Sequence, residues 1–205
     1  MPRLMLAALL LAAGLAVPAH AHDGVVHATS GETAAHDVSA PAQPFPLKIE
    51  PRFALIDSAG RAVTEADFAG RPMAIFFGYA NCQSICTVAL PAVAAALDIL
   101  GPEGAKIVPI MITVDPARDT PDAMARKLPD YHPRLIGLTG SAAALAEARA
   151  VFQVEAKQVA TAADGAPIFA HGSFIYLVGR DGEVKSLLPP ILSPEQMARM
   201  MRKYL

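Results

Sequence analysis

The sequence predicts an α/β fold in which a central mixed β-sheet is covered by helices on both faces. Three observations carry this prediction. Two long apolar runs, Pro72–Tyr79 and Lys106–Val114, have the continuous hydrophobic character of strands buried on both sides. Helical patterns separate these runs from each other and from the later strands. The chain then closes with a hairpin signal at Gly179-Arg180-Asp181-Gly182 and a capping box at Ser193-Pro194-Glu195-Gln196.

Each element carries its own local signal. Phe53–Ile56 and the turn residues Asp57-Ser58-Ala59-Gly60-Arg61 predict an opening hairpin. After the Pro72–Tyr79 strand, residues 89–100 predict a helix with Val93, Leu97 and Leu100 on one face; Pro91 places its regular start near Leu90. Thr120 caps a helix that has Pro121 at its first position. Leu135–Leu138 reads as a short strand and Ser141–Phe152 as an alanine-rich helix. Ser173–Val178 and Val184–Leu188 flank the late hairpin turn, and a final helix runs to Tyr204. On that helix Met197, Met200, Met201 and Tyr204 recur at spacings of three and four, which makes them a core-facing stripe rather than a methionine metal site. Strands and helices in this order are what a thioredoxin-like fold gives, and there are no internal repeats.

The N-terminus addresses compartment rather than fold. Arg3 precedes an apolar run from Leu4 to Val17, then Pro18 and the small-residue pattern Ala19-His20-Ala21. This is the layout of a secretory signal peptide, residues 1–21, and the run is shorter than the roughly 20 residues of a membrane span. The competing expectation is an uncleaved anchor that holds the protein at the inner membrane. Residues 22–47 are rich in Ala, His, Ser, Thr and Pro without apolar periodicity and predict a flexible leader, leaving 48–205 as one domain. Cleavage after Ala21 would expose His22 with a free α-amino group, a chelating pair for copper(II). Cleavage after Ala19 would place His22 third. His22, His27 and His36 therefore form a secondary copper-capture hypothesis beside their plainer role as solvated polar residues.

Charge excludes some functions. The whole chain carries −2, and its 17 Lys and Arg are dispersed without a basic stripe, so nucleic acid is not an expected partner. The mature form is expected to be soluble, meeting a membrane only if the signal stays uncleaved. Both cysteines fall in the short span Cys82–Cys86, too close for a stapled scaffold, which would close long loops. Such a pair in an exported protein points to redox or metal chemistry.

The chemistry concentrates in three segments. The first is Phe76-Phe77-Gly78-Tyr79-Ala80-Asn81-Cys82-Gln83-Ser84-Ile85-Cys86, a buried strand that runs into a loop with two thiols ahead of a helix. Ligands of open α/β sheets bind beyond the carboxyl ends of strands, and a helix N-terminus favours the thiolate. In the second, Ile168–Val178, His171 precedes an apolar strand in the slot where redox proteins of this fold carry a cis-proline, with Pro167 four residues earlier. Two thiolates and one imidazole make a soft, three-coordinate set that suits copper(I), whereas zinc would want a fourth ligand. A dithiol working by electron transfer remains the alternative, because cysteine spacing alone does not separate the two. The third segment, Met111–Pro121, offers Asp115 and Asp119 as groups that orient the site, with Arg118 as a partner for one of them. Asp115 is the stronger candidate because it leaves its strand on the edge of the cysteine loop, while Asp119 could simply satisfy backbone donors at a helix start.

Together these segments resemble the Sco (SenC) family of copper proteins over roughly residues 50–205. The shared pattern is a strand, Gly78-Tyr79, the Cys-x-x-x-Cys loop, Thr113-Val114-Asp115-Pro116-Ala117-Arg118-Asp119-Thr120-Pro121, and a late histidine before Phe174-Ile175-Tyr176-Leu177. The resemblance implies copper-ligand roles for Cys82, Cys86 and His171 and a place near the site for Asp115. The chain departs from the family where Gln83 and Thr87 occupy proline positions and Ser84-Ile85 replace an acidic residue. The resemblance implies a periplasmic metallochaperone, not an enzyme. It would deliver copper to the binuclear centre of a respiratory cytochrome oxidase, through that oxidase's copper-bearing subunit or another periplasmic copper protein. The alternative function is a thiol-disulfide oxidoreductase in which Cys82 and Cys86 attack and resolve a client disulfide.

Overall fold

In the computed structural model, residues 49–82 and 85–205 are described. The signal peptide, the leader with His22, His27 and His36, and Gln83 and Ser84 of the cysteine loop lie outside the described residues. The described chain runs β1 (Ala54–Asp57), β2 (Ala62–Thr64), β3 (Met73–Gly78), α1 (Cys86–Leu100), β4 (Val108–Thr113), α2 (Pro121–Lys127) and β5 (Ile136–Thr139). It continues through α3 (Ala142–Phe152), β6 (Ala156–Thr161), β7 (Pro167–His171), β8 (Ile175–Val178), β9 (Val184–Leu188) and α4 (Pro194–Arg202).

A mixed seven-stranded sheet has the order β2-β1-β5-β4-β3-β8-β9. β3 pairs in parallel with β4 and β4 with β5; the remaining pairs are antiparallel. Every residue of β3 and β4 is buried. Because successive side chains of a strand point to opposite faces, burial of all of them means that both sheet faces are covered, as the sequence predicts. Phe76, Phe77, Ile110 and Ile112 sit at the centre of this core. Each such side chain contributes about 1.5–3 kcal/mol by leaving water.

The opening hairpin forms as expected, pinned by Asp57. Its Oδ1 accepts from the backbone N–H groups of Ala59 and Arg61, both at 2.9 Å, and its Oδ2 accepts from Arg61 Nε at 2.8 Å. Thr120, Ser141 and Ser193 cap α2, α3 and α4 through their hydroxyls, and Ser193 and Gln196 complete the predicted capping box. Met197 and Met201 are buried in the core, which settles the methionine stripe as packing. Among the described residues no helix is long and apolar enough to cross a membrane.

Two expectations need correction. The helix after the cysteine loop begins at Cys86, not near Leu90, and Pro91 lies inside it. The backbone N–H groups of Val88 and Ala89 both bond the carbonyl of Ile85, so the first turn closes before Pro91 is reached. A proline this close to a helix start removes one backbone donor, and the apolar face of α1 packed on the core outweighs that loss. Secondly, a two-stranded ribbon of β6 and β7 stands apart from the main sheet where no strand was expected. Its turn is closed by Ala162 N–H to Ala166 O at 2.7 Å, with Gly165 at φ 82° and Asp164 accepting from Ala166 N–H. His171 is the last residue of β7, and β8 starts only at Ile175, two residues later than expected.

Candidate metal centre

The parallel pairing of β3 and β4 brings two chain exits to one edge of the sheet. Val114 N–H bonds Gly78 O at 2.8 Å, extending the ladder past the last paired residues, so the cysteine loop and the Asp115–Asp119 loop leave side by side. Cys82 N–H bonds Tyr79 O at 3.1 Å and turns the chain. Cys82 and Cys86 are both buried, and Cys86 sits in the first turn of α1. Its sulfur lies against β3 only because residue 78 is glycine. A Cβ there would stand 3.0 Å from Cys86 Sγ and 2.6 Å from a ring carbon of Phe76. Gly78 is thus a functional position, identified from sequence only as part of a family pattern.

The third group arrives on the ribbon. His171 pairs with Ala156 at the ribbon's root, and its ring stands edge-on to Phe76 (centroids 6.0 Å apart) and Tyr79 (6.2 Å). His171 Nδ1 lies 3.0 Å from the carbonyl oxygen of Gly172. A carbonyl only accepts, so Nδ1 is the donor in this contact and Nε2 is the ring nitrogen left to a ligand. Ligand atoms of Cys82, Cys86 and His171 lie within 4.8 Å of one another, so two segments far apart in sequence converge on one point. Cys82, Ile85, Phe169, Ala170, His171 and Ser173 line a cavity of about 340 Å³ that opens this point to solvent.

Neither carboxylate singled out from sequence joins that group; each holds it from behind. Asp119 is fully buried, and its Oδ2 accepts from Ala80 N–H at 3.0 Å and Thr113 Oγ1 at 2.6 Å. Asp119 therefore fixes the cysteine loop two residues before Cys82, while Thr120, not Asp119, caps α2. Of the two roles the sequence left open for Asp119, its contacts favour orienting the cysteine loop over satisfying donors at a helix start. Asp115 pairs with Arg118 Nε at 2.7 Å, as expected for Arg118, and Arg118 Nη2 donates to Pro167 O at 3.4 Å on the ribbon that carries His171. One carboxylate braces the thiol loop and the other, through Arg118, braces the imidazole.

At Cys86 the expected effect of the helix N-terminus in favour of the thiolate is outweighed. The hydrogen bond with Cys82 and then burial push the Cys86 thiol well above the ordinary thiol range. Burial, followed by the charge and hydrogen bond at Cys82, pushes the Tyr79 phenol up to about 12. Burial likewise raises the Asp119 carboxyl, against the lowering effect of its bonds from Thr113 and Ala80. Metal binding has to displace any proton on these sulfurs, because a thiolate is the metal ligand.

Fold and site together define a thioredoxin-like protein that presents two thiols and an imidazole at the carboxyl edge of its sheet, a donor set for a soft metal ion. The SCO1/SenC family matches residues 41–205, and the chain belongs to that family. A mitochondrial SCO2 homologue of Danio rerio is 37% identical over 155 residues, covering 75% of this chain and 56% of that protein. A SCO2-like protein of Rickettsia conorii is 32% identical over 158 residues, covering 76% of this chain and 77% of its own. The chain thus spans little more than half the length of its vertebrate relatives. Among solved structures, ScoI of Bradyrhizobium japonicum with copper bound is 38% identical with a TM-score of 0.70, covering 77% of this chain and 99% of that one. Yeast Sco1 with copper bound is 27% identical with a TM-score of 0.70, covering 77% and 88%.

Proposed function

We propose that this chain is a copper(I) metallochaperone whose ligands are Cys82, Cys86 and His171. The observation that carries the proposal is the convergence of those three donor atoms within 4.8 Å. Family membership and the copper-bound relatives support it. Copper(I) is the cargo. The two sulfurs bind it as thiolates, releasing their protons, and Nε2 of the neutral imidazole completes a three-coordinate set. The cavity leaves one side accessible, so an incoming ligand from a client can replace one protein ligand at a time, with no catalytic turnover.

The mature domain of residues 48–205, freed of a signal peptide at 1–21 and preceded by the 22–47 leader, works in the bacterial periplasm. Its client is the copper-bearing subunit of a respiratory cytochrome oxidase, at the binuclear copper centre, a destination consistent with membership of this family. The test is an anaerobic copper(I) titration of the reduced protein against a competing chelator, wild type beside His171→Ala. One copper per chain is expected, with affinity reduced at least about tenfold in the variant, or 1.4 kcal/mol. Binding indifferent to His171 would sink the three-ligand site and favour a thiol-disulfide oxidoreductase, whose dithiol exchange should survive the substitution.

A further inference from the structure

The donor residues are sunk: Cys86 is fully buried and Cys82 is only 4% exposed. A partner that takes up their cargo must reach in through the cavity, so its surface comes to rest on the loops around the mouth. The strand register says which loops these are. Phe76 of β3 pairs with Ile175 and Ile175 with Leu188, so the residues before β8 and after β9 leave the sheet at the end where β3 gives way to the cysteine loop. α1 starts at this end, and α4 runs the same way beside it, tied at the far end by Arg202 Nε to Glu103 at 2.9 Å. Val88 in the first turn of α1, Phe174 ahead of β8 and Ile191 ahead of α4 therefore share this end of the molecule, and they are 50%, 45% and 80% exposed. The backbone presents Ile191: Leu192 N–H bonds Pro189 O at 3.2 Å, closing a turn with Pro190 second and Ile191 third. Two prolines fix φ at two of its four positions, so the side chain is held out in water on a stiff loop. Scattered exposed apolar residues are ordinary, whereas a group around the mouth of one cavity marks a contact surface.

Charge points the same way. Residues 79–88, 168–178 and 187–194 contain no Asp, Glu, Lys or Arg. Flanking charges are of both signs, with Glu155 and Lys157 at the ribbon's root and Glu195 in the first turn of α4. Charged groups gather instead at a second, larger cavity of about 480 Å³, lined by Asn81, Arg118 and Asp164 of the ribbon turn.

We propose that Val88, Phe174 and Ile191 form a docking rim for the copper-receiving domain of the client, which meets them with an apolar, uncharged surface around its own copper ligands. The identity of that client rests on the copper-delivery reading above, whereas the rim does not. Contact along the rim shuts bulk water out of the cavity while ligands change. The rim carries no field of one sign, so it supplies contact without electrostatic steering, and docking is indifferent to salt. An apolar contact of this small size holds a partner only briefly, which suits a protein that must let its client go.

The probe is the soluble copper-binding domain of the same organism's oxidase subunit, titrated calorimetrically into the reduced, metal-free chain. Wild type should bind with a negative heat-capacity change, the mark of buried apolar surface, and its affinity should change less than about twofold between roughly 50 and 500 mM salt. Ile191→Asp and Val88→Asp should each weaken binding about tenfold, or 1.4 kcal/mol. Ile99→Asp makes the same change at an exposed apolar residue in the last turn of α1, at its opposite end, and should bind as wild type does. Copper(I) affinity against a competing chelator should be unchanged in all three variants. Wild-type affinity in the two rim variants, no binding by wild type, or affinity that falls steeply with salt would overturn the proposal. It would also be overturned if wild type co-sedimented with vesicles of phosphatidylethanolamine and phosphatidylglycerol and the rim substitutions abolished that while leaving domain binding untouched, since the face would then belong to lipid. If the chain binds no copper(I) yet the domain still depends on the rim, the copper reading fails and the rim stands.

Discussion

Asp119→Ala isolates the brace behind the cysteine loop. The substitution removes two hydrogen bonds to Oδ2, from Ala80 N–H at 3.0 Å and from Thr113 Oγ1 at 2.6 Å. Thr113 retains a partner because its oxygen also accepts from Asp115 N–H at 2.9 Å, whereas no replacement for Ala80 N–H is provided by the substitution. A buried donor left unsatisfied costs about 1–3 kcal/mol, and each bond to a charged acceptor contributes about 1.5–3 kcal/mol. Against this stands the relief of a desolvated carboxylate, the largest influence on this group. The balance is a loss of about 2–4 kcal/mol, or on the order of 4–16 °C in Tm for a domain of this size. Urea unfolding at neutral pH reads the first number, and copper(I) competition reads whether the loosened loop also weakens binding. Asp119→Asn keeps one acceptor oxygen and should lose less. Burial raises this carboxyl's folded-state pKa, so its contribution is largest in the protonated range and declines as pH rises through the folded value; Asn should abolish that component. If Asp119→Ala unfolded within about 0.5 kcal/mol of wild type and bound copper equally well, the bracing role would be refuted.

Two further outcomes are expected. Gly78→Ala forces a methyl group against Phe76 and Cys86 Sγ; overpacking of this kind costs about 1–3 kcal/mol, and copper(I) affinity should fall with stability, whereas affinity unchanged by the substitution would show that Cys86 does not need its close approach to β3. His132 is buried and its Nδ1 accepts from Arg134 N–H at 3.1 Å, a bond a protonated ring cannot make. Burial, then the Arg134 charge, hold its folded pKa below the unfolded value, with Asp98 opposing. The unfolded chain therefore takes up the proton first as pH falls below about 6.5, and the stability present above that range is lost through the folded pKa. Urea midpoints should drop between neutral and mildly acidic pH, and His132→Gln should flatten that dependence.

The parts of the molecule that obey a single strong pattern were legible in the sequence. β3 and β4 are continuous apolar runs, and the capped helices carry their start signals in adjacent residues. The β6–β7 ribbon was missed because its alternation is weak: β6 is mostly exposed and carries Ala, Lys and Gln where a half-buried strand would carry large apolar residues. Its one clear signal was Asp164-Gly165, a hairpin dipeptide now seen at the turn. Cys82, Cys86 and His171, which the structure groups together, were singled out because a close thiol pair is chemically conspicuous and the histidine stands just before a late apolar strand. For Asp119 the sequence left two roles open. A carboxylate beside Thr120-Pro121 has an obvious local role, and its actual partner, Ala80, lies 39 residues away, a distance no local pattern spans. The start of α1 was misplaced because proline was weighed as a local breaker without the packing of the whole apolar face.

The ribbon divides labour along its length. His171 is registered opposite Ala156 at its root, while the turn at its far end, with Ala162, Asp164 and Ala166, forms a wall of the larger cavity beside Arg118 and Asn81. Strand pairing holds the root, and Arg118 reaches the ribbon at Pro167, just short of the turn residues. A lineage can therefore lengthen or recompose residues 162–166, reshaping the surface a visitor meets, while the imidazole keeps its place.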